Sequence, residues 1–298
     1  ALFAAISGSS AATVATVGKM SIPELRKRKY PEKILLGSLA GSGTLGLLIP
    51  PSIILIIYGV TVQESIAKLF IAGIIPGIMI ALIFMGYVIV WSLLNKNKMP
   101  TNYENFSFLN KLGKSKQLIP VILLILGVIG SIYTGIATAT EAASLGVVGA
   151  LILSYFQKSL TFKTFKDSLL GATKTSCMIA FILAGATFLS LAMGFTGLPR
   201  NLALWIQNME LSPYVLIFVL MIFYIILGMF LDGISAVVLT MAIIEPMIRQ
   251  AGFDMIWFGI FLVIVVEMAQ ITPPVGFNLF VLQGMANKDM GFIAKSAF

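Results

Sequence analysis

The stretch ITPPVGFN, residues 271–278, interrupts an apolar run that extends over residues 255–285. Pro273 and Pro274 each lack a backbone N–H, and each ring clashes with a carbonyl of the preceding turn, so an unbroken helix cannot pass through them. In hydrocarbon, backbone groups freed in this way are tolerated only where protein covers them or where they line a cavity. A second pair, Pro50-Pro51, interrupts another apolar run. Two broken spans in one chain predict a binding site inside the membrane.

The composition defines the class of fold. Hydrophobic residues make up 58% of the 298 residues and charged residues only 11%, with a mean hydropathy of +1.00. A soluble domain carries roughly 25% charged residues, and the apolar runs lack the alternation of a β-barrel. The sequence therefore predicts an all-α polytopic membrane protein. We attribute the formal charge of +8 to cytoplasmic loops rather than to nucleic-acid binding.

The chain contains no histidine and one cysteine, Cys177. The lack of histidine excludes His-dependent catalysis, His metal ligation and a histidine pH switch, and no transition-metal site is expected. Cys177 has no partner for an internal disulfide, and its position in an apolar run predicts a buried thiol. An intramembrane aspartyl protease would need a second membrane carboxylate beside Asp232, whereas Asp167 and Asp254 lie in predicted loops. The sequence therefore predicts that the protein is not an enzyme.

Basic segments alternate with the apolar runs and predict the orientation of the chain. By the positive-inside rule, three such segments are cytoplasmic, at residues 19–33, 95–116 and 157–174. Residues 196–212 carry few charges and suit a helix at the outer interface. Short apolar arms flank residues 231–235, which predicts a re-entrant hairpin that opens outward.

The two ends of the chain share an order of parts. Each has a tip of small and polar residues, an arm, a loop and then a span broken by Pro-Pro. Gly8 lies 42 positions before Pro50, and Gly233 lies 40 positions before Pro273. The loop between arm and span is basic in the first half and nearly neutral in the second, so the halves are expected to insert with opposite topology. Inverted repeats with discontinuous helices are typical of secondary transporters.

This pattern divides the chain into four predicted parts. They are the first half of a transport domain at residues 1–94, a cytoplasmic loop at 95–116, scaffold helices at 117–212 and the second half of the transport domain at 213–298. Because only six residues precede the first tip, we expect the chain to be a fragment of a longer polypeptide.

Five motifs together carry a resemblance to a known family. They are SGSSAAT at residues 7–13, GLLIPP at 46–51, YTGIATATEAA at 133–143, GMFLDG at 228–233 and TPPVGFNLF at 272–280. The chain resembles the large membrane subunit of tripartite ATP-independent periplasmic (TRAP) transporters over essentially all of its length. It departs from the family by lacking the N-terminal helices and the final C-terminal helix, and whether a small subunit is fused to it stays open.

The resemblance implies sodium-coupled uptake of carboxylate-bearing solutes by an elevator movement. It also implies three partners: a periplasmic substrate-binding protein, a small membrane subunit and the organic acid itself. A multi-pass protein of this family lies in the bilayer of the bacterial inner membrane. The hydroxyl-rich first tip favours a sugar acid of the sialic acid type, while four-carbon dicarboxylates and keto acids remain alternatives.

Two sodium sites are expected where a tip meets a break, since broken helices free carbonyl oxygens and present the negative ends of half-helices. The first site is assigned to Ser7, Ser9, Gly46, Ile49 and Pro51. The inverted counterpart is assigned to Gly228, Asp232, Ser235, Thr272, Pro274 and Gly276. Close helix packing by the serines and N-capping by Asp232 are the alternative roles for these residues.

Helix N-termini that follow the breaks would direct partial positive charge at an anionic substrate. The predicted substrate contacts are Ser9, Ser10, Ser52 and Asn278, with simple capping as the alternative. Glu267 lies one turn before the second break and is expected to hold its shape, and Glu141 is expected to cap the turn after Gly135.

Two other classes of transport protein fit parts of the pattern. A sodium/anion symporter of a related elevator family would work without a binding protein. A channel could also use re-entrant hairpins and prolines, but it does not require two inverted, separately broken halves. Uptake measured with and without the soluble partner distinguishes the symporter, and unitary currents without coupled uptake distinguish the channel.

Overall fold

The computed structural model describes residues 3, 8–100, 118–197, 201, 204 and 212–297, without the side chain of Ser190. These residues form α-helices, one short 3-10 turn and no strand, which confirms the predicted all-α membrane fold. The helices are α1 (Ser10–Lys27), α2 (Glu32–Leu48), α3 (Ile53–Thr61), α4 (Ile66–Leu94), α5 (Ile119–Tyr133), α6 (Ala139–Phe156), α7 (Phe162–Thr196), α8 (Pro213–Gly228), α9 (Gly233–Gln250), α10 (Met255–Gln270), α11 (Phe277–Ala286) and α12 (Met290–Ala297). Of these, α4, α6, α7 and α9 are each long and apolar enough to cross a membrane.

The first break separates α2 from α3 and bends the chain by 40°. Pro50 and Pro51 follow Gly46 and Leu47 by four positions, so the carbonyls of those two residues have no helical N–H to accept. The Ser52 hydroxyl replaces one of the missing N–H donors by donating to the Leu47 carbonyl. The same hydroxyl accepts from the backbone N–H of Leu55 at 3.4 Å and so caps α3.

The second break separates α10 from α11 by the same chemistry. Pro273 and Pro274 follow Ala269 and Gln270 by four positions, and α10 ends at Gln270. The backbone N–H of Thr272 donates to the Ala269 carbonyl at 3.0 Å, which replaces one lost helical bond. Both Pro-Pro bonds are cis.

A constant offset of 223 positions relates the two halves. It carries α1 (Ser10–Lys27) onto α9 (Gly233–Gln250), with both helix ends in register. It also carries the N-cap Ser9 onto the N-cap Asp232 and the internal Pro23 onto Pro246. The spacing from N-cap to second proline is 42 in each half, from 9 to 51 and from 232 to 274. The repeat is therefore closer than the predicted spacings of 42 and 40 indicate.

Contacts between the halves show that the broken segments run antiparallel. Glu32, at the start of α2, pairs with Lys288, which follows α11, at 2.8 Å. The Tyr58 hydroxyl in α3 donates to the carbonyl of Met255, the first residue of α10, at 2.7 Å. Each segment thus begins where the other ends, which is the arrangement that an inverted repeat predicts.

Two symmetry-related arginines connect the bases of the hairpin arms to the opposite half. Arg26 of α1 donates to the carbonyl of Ala286 at the end of α11, at 2.6 Å. Arg249 of α9 donates to the carbonyl of Val62, the residue that follows α3, at 3.2 Å. The 223-position offset carries Arg26 onto Arg249, so the two contacts are reciprocal.

A buried apolar core joins elements of the two halves. It joins α1 and α2 to α11 and α12 through eleven side chains: Val14, Ile22, Leu35, Leu36, Leu39, Ala40, Leu279, Leu282, Ala286, Ile293 and Ala294. Burying each large aliphatic side chain contributes about 1.5–3 kcal/mol where the alternative is water. The core therefore holds the arm of one half against the segment of the other that follows the break.

Three sequence predictions are wrong in detail. Residues 19–27 continue α1 and do not form a loop. Arg26 in the last turn of α1 donates to the Ala286 carbonyl of α11, and this contact holds the basic end of the helix in place. Likewise, α7 already begins at Phe162, inside the segment predicted as a cytoplasmic loop at 157–174. Cys177 is exposed on α7 instead of buried, since that helix is almost unburied in the described structure.

The chain divides into two compact units, Ala1–Thr101 with Ala186–Phe298, and Asn102–Gly185. In the second unit, α5 and α6 pack together, and α6 begins with a capping box. The Thr138 hydroxyl accepts from the Glu141 N–H while the Glu141 carboxylate accepts from the Thr138 N–H at 2.8 Å. This confirms the predicted capping role of Glu141. The predicted interfacial helix at 196–212 lies mostly outside the described residues.

Candidate functional site

The first tip lies directly against the first break. Gly8 has a φ of +59°, and its carbonyl accepts from the Ile53 N–H at 3.4 Å. A Cβ atom at Gly8 would lie 3.0 Å from the Pro51 carbonyl oxygen, so a glycine is required both by conformation and by space. A Cβ at Gly46 would lie 3.2 Å from the Ser9 carbonyl oxygen. The structure therefore brings Ser9, Gly46 and Pro51 together at one place.

The other residues assigned to the first site are placed less fully. Ile49 is half-buried within the break, where its backbone N–H donates to the Leu45 carbonyl at 3.0 Å. Ser7 lies outside the described residues. Ser9 is the N-cap of α1, and its hydroxyl does not cap that helix.

The second tip meets the second break through a similar bond, in which the donor is the equivalent residue but the acceptor is not. The Gly276 N–H donates to the Met229 carbonyl at 3.2 Å, and Gly276 is Ile53 shifted by 223 positions. Gly228 packs on the last turn of α10, where an added Cβ would lie 2.6 Å from the Cβ of Ala269. The Thr272 hydroxyl donates to the Met268 carbonyl at 2.6 Å and keeps its oxygen lone pairs at the break. Pro274 is exposed beside it.

Asp232 caps α9 with its side chain. One carboxylate oxygen accepts from the backbone N–H groups of Ile234 and Ser235, at 3.1 and 3.3 Å, and the other accepts from the Ser235 hydroxyl. This is the capping role that the sequence offered as an alternative. A carboxylate has about four lone-pair sites, so these three bonds leave capacity for a cation.

The oxygen donors at both tips belong mainly to carbonyl and hydroxyl groups. Among the described residues, no group of three or more His, Cys, Asp or Glu side chains could hold a metal ion. Oxygen ligands of this kind suit a hard cation rather than a transition metal.

Asn278 is a buried amide at the N-terminus of α11. Its side chain is 0% exposed, and neither of its polar atoms has a hydrogen-bond partner. The N-cap of α11 is Gly276, which has no side chain to cap the helix. The 223-position offset carries Leu55 onto Asn278, so the amide is particular to the second half. An unpaired buried amide at a helix N-terminus is suited to bind an anionic oxygen.

The hydroxyls of Ser52 and Ser10, both predicted as substrate contacts, are engaged within the protein. Ser52 is fully buried and caps α3. Ser10 is also buried, and its hydroxyl donates to the side-chain oxygen of Gln270 at 2.6 Å. Their roles at a substrate stay predictions.

Sequence reasoning missed Gln270, which contacts both tips. A Cβ at Gly233 would lie 3.0 Å from the Gln270 side-chain nitrogen, while the Gln270 oxygen accepts from Ser10. A glutamine at the end of an apolar helix gives no local signal of such contacts. Glu267, one turn earlier, is 3% exposed, and its carboxyl lies close to the backbone of Leu48. The last turn of α10 thus touches the first tip and the end of α2.

An all-helical membrane fold with two antiparallel broken segments, each in contact with a tip of its own half, is typical of the membrane component of a secondary transporter. The family comparison agrees with this class. The chain belongs to the DctM family, whose model, described as "Tripartite ATP-independent periplasmic transporter, DctM component", matches residues 1–298.

Relatives with curated names are similar over nearly the whole chain. The C4-dicarboxylate TRAP transporter large permease protein DctM of Pseudomonas aeruginosa is 33% identical over 99% of this chain and 69% of its own length. The isethionate TRAP transporter permease protein DctMQ of Oleidesulfovibrio alaskensis is 34% identical over 98% of this chain and 46% of its own length. The 2,3-diketo-L-gulonate TRAP transporter large permease protein YiaN of Escherichia coli is 33% identical over 100% of this chain and 69% of its own length. The chain is therefore a transport protein and not an enzyme.

Proposed function

We propose that this chain is the large membrane subunit of a sodium-coupled transporter that takes up an organic acid delivered by a periplasmic binding protein. The observation that carries the proposal is the paired geometry of tips and breaks. In each half, the backbone N–H two positions after the second proline donates to a carbonyl of the facing tip. The donors are Ile53 in the first half and Gly276 in the second. Such discontinuous, inverted elements are where secondary transporters bind ions and substrate.

The proposed sodium sites combine tip and break oxygens. The first uses Ser7, Ser9, Gly46, Ile49 and Pro51. The second uses Gly228, Asp232, Ser235, Thr272, Pro274 and Gly276. Their support is the close approach of Gly46 to the Ser9 carbonyl and the spare acceptor capacity of the Asp232 carboxylate.

The proposed anchor for the substrate is the N-terminus of α11 with Asn278. The buried polar and charged residues of the described chain are Ser10, Thr13, Thr44, Ser52, Glu267, Gln270 and Asn278, which include no lysine or arginine. A carboxylate at the breaks would therefore be stabilised by helix N-termini and by bound sodium. Ser9, Ser10 and Ser52 complete the proposed set of contacts.

The substrate class follows the names of the relatives only at the level of an organic acid. Those names include a C4-dicarboxylate, isethionate and 2,3-diketo-L-gulonate. A sugar acid of the sialic acid type stands beside them as a candidate. The remaining proposals are an elevator movement, a small membrane subunit, separate or fused, and a location in the bacterial inner membrane. The predicted transport-domain halves and scaffold would supply the moving and fixed parts.

Reconstitution of the full-length protein with its small subunit into liposomes tests the function. Thermal-shift screening of the partner binding protein against carboxylates first identifies the ligand. Labelled ligand should then enter the liposomes only when both an inward sodium gradient and the binding protein are present. Equal uptake without the binding protein would instead establish a binding-protein-independent symporter, and unitary currents without coupled uptake would establish a channel.

A further inference from the structure

Gln270 is a single buried side chain that contacts both tips. It is 2% exposed, and its side-chain oxygen accepts from the Ser10 hydroxyl, which is also buried, at 2.6 Å. Ser10 and Gln270 are 260 positions apart in the chain. A buried hydrogen bond of this kind is costly to break, because both groups would stay away from water without a partner.

The same amide borders the second tip. Gly233 is the first residue of α9, and a Cβ there would lie 3.0 Å from the Gln270 nitrogen. A larger residue at 233 would require either the tip or the Gln270 amide to shift. A single side chain at the end of α10 therefore bonds to the first turn of α1 and packs against the first turn of α9.

The path through Gln270 joins the two proposed sodium sites. Ser9 of the first site precedes Ser10, and Asp232 of the second site precedes Gly233. Gln270 also lies two positions before Thr272, a proposed ligand of the second site. A cation that orders one tip would thereby restrain Gln270 and lower the entropic cost of ordering the other tip.

We propose that Gln270 is a positioning residue that couples the two tips, so that the two sodium sites fill cooperatively. The proposal rests on the proposed function, because it concerns the order in which those sites are occupied. Gln270 does not need to touch sodium or substrate; it acts through Ser10 and Gly233. Coupling between sites in proteins changes affinity by about 5–150-fold, which sets the expected scale.

Two variants break the link from different sides. Gln270→Met keeps an unbranched side chain of similar length but removes both polar atoms, and Ser10→Ala removes the hydroxyl that meets them. Thr240→Val is the matched control, because it removes another hydroxyl bond, the 2.7 Å contact with Tyr224 between α8 and α9, away from both breaks. All variants are measured in the full-length transporter with its small subunit.

The first readout is the sodium dependence of uptake at saturating substrate and binding protein. The unmodified transporter should show a sigmoidal dependence. Gln270→Met and Ser10→Ala should lower the Hill coefficient to the value that two independent sites give and raise the half-saturating sodium concentration at least about fivefold, whereas Thr240→Val should keep the original slope. A hyperbolic dependence in the unmodified transporter, or equal slopes in all variants, would overturn the proposal.

The second readout is hydrogen–deuterium exchange without sodium, which does not depend on the proposed function. Ser10→Ala lies in the first tip, yet it should increase exchange at residues 233–238 of the second tip. Unchanged exchange there would show that Gln270 does not couple the tips. Uptake that ignores sodium would overturn the proposed function and cooperative filling together, and the exchange result would still decide whether the tips are linked.

Discussion

Asp232 combines two demands at a single residue. Its carboxylate caps α9 through bonds to the N–H groups of Ile234 and Ser235, while it lies half-buried at a tip inside an apolar run. A charge at membrane depth costs about 2.5–3.5 kcal/mol on insertion scales. The cap offsets part of this cost, and a bound cation would offset more.

Replacing Asp232 separates the two demands. Asp232→Ala should cost about 1 kcal/mol of stability through the lost cap and should raise the sodium concentration for half-maximal uptake by at least about tenfold, since one charge-assisted ligand is gone. Asp254→Ala is the control, because Asp254 caps α10 by accepting from Trp257 at 2.8 Å, at the opposite end from the break. Unchanged sodium activation of folded Asp232→Ala protein would contradict the assignment.

Asn278 carries the second residue-scale prediction. Its buried amide has no partner, and such a group costs about 1–3 kcal/mol. Asn278→Leu, which introduces the residue found at the equivalent position 55, should therefore leave the melting temperature unchanged or higher while uptake of the organic acid is lost. A variant that transports normally would show that the amide does not contact the substrate. Leu279→Asn, a buried neighbour in the core, should instead lower the melting temperature.

Some residue roles were readable from the sequence and others were not. The prolines, Asp232 and Asn278 were identified because their chemistry conflicts with a continuous apolar helix. Gln270 was missed because its partners lie in other elements, and a glutamine at the end of a helix is ordinary in isolation. The engagement of the Ser52 hydroxyl with Leu47 likewise depends on the bend that the prolines create.

At the scale of elements, each tip is held to its break through the backbone. Gly8 shows how tightly this contact is made, with its φ of +59° and the Pro51 carbonyl 3.0 Å from the position of a Cβ. A methyl group at Gly8 would meet the backbone carbonyl of Pro51, which cannot rotate away. The tip therefore depends on a glycine more than on any hydroxyl.

Gly8→Ala should open the first tip. The left-handed conformation costs about 1–2 kcal/mol for a residue with a Cβ, and the clash with Pro51 adds to it. Sodium-dependent uptake should fall at least about tenfold, consistent with a loss of that size, and hydrogen exchange at residues 9–14 should rise. Gly135→Ala is the control, with a φ of +72° and no atom within 4 Å of the added Cβ. If both variants reduced uptake equally, the effect would come from the backbone conformation of the glycine and not from its contact with the break.

The elements were predicted best where the rule is local. Proline removes a donor regardless of context, so the breaks and the short helices around them follow from the sequence. The C-terminal end of α1 and the start of α7 could not be predicted in this way, because a charged helix that continues beyond the membrane has the composition of a loop. Propensity alone does not distinguish the two, and contacts such as that of Arg26 with α11 decide it.

At the scale of the whole molecule, Arg26 and Arg249 fasten each hairpin arm to the half to which it does not belong. Each guanidinium donates to a carbonyl at the end of a post-break helix, where the helix dipole is negative and the carbonyls lack helical partners. Their separations from these partners along the chain are 260 and 187 positions. Such contacts are invisible to periodicity, although the repeat relates them once the register is known.

The reciprocal arginines give a paired prediction. Arg26→Ala and Arg249→Ala should each lower the free energy of unfolding by about 1 kcal/mol, and the double variant should show a roughly additive loss, because the contacts lie at opposite ends. Chemical denaturation of the whole protein in detergent measures this. Arg28→Ala is the control, since Arg28 pairs only across one helical turn with Glu24, with both side chains about half exposed, and should have little effect. An equal loss of unfolding free energy in Arg28→Ala would contradict a stabilising role for the Arg26 and Arg249 contacts.

The ion pairs around these arginines differ in their balance of charge. Arg26 and Lys288 share one carboxylate, Glu32, whereas Arg249 alone faces two, Glu245 and Glu64. The repeat is symmetric in its backbone but opposite in local electric potential: positive at the end that the positive-inside rule places in the cytoplasm, and negative at the other. A cation near Glu64 and Glu245 would meet an attractive field over about one Debye length, near 8 Å at physiological ionic strength, and a cation near Arg26 and Lys288 would meet a repulsive one. The two halves thus share one backbone architecture but carry opposite charge at their outer ends, which makes the protein electrostatically asymmetric.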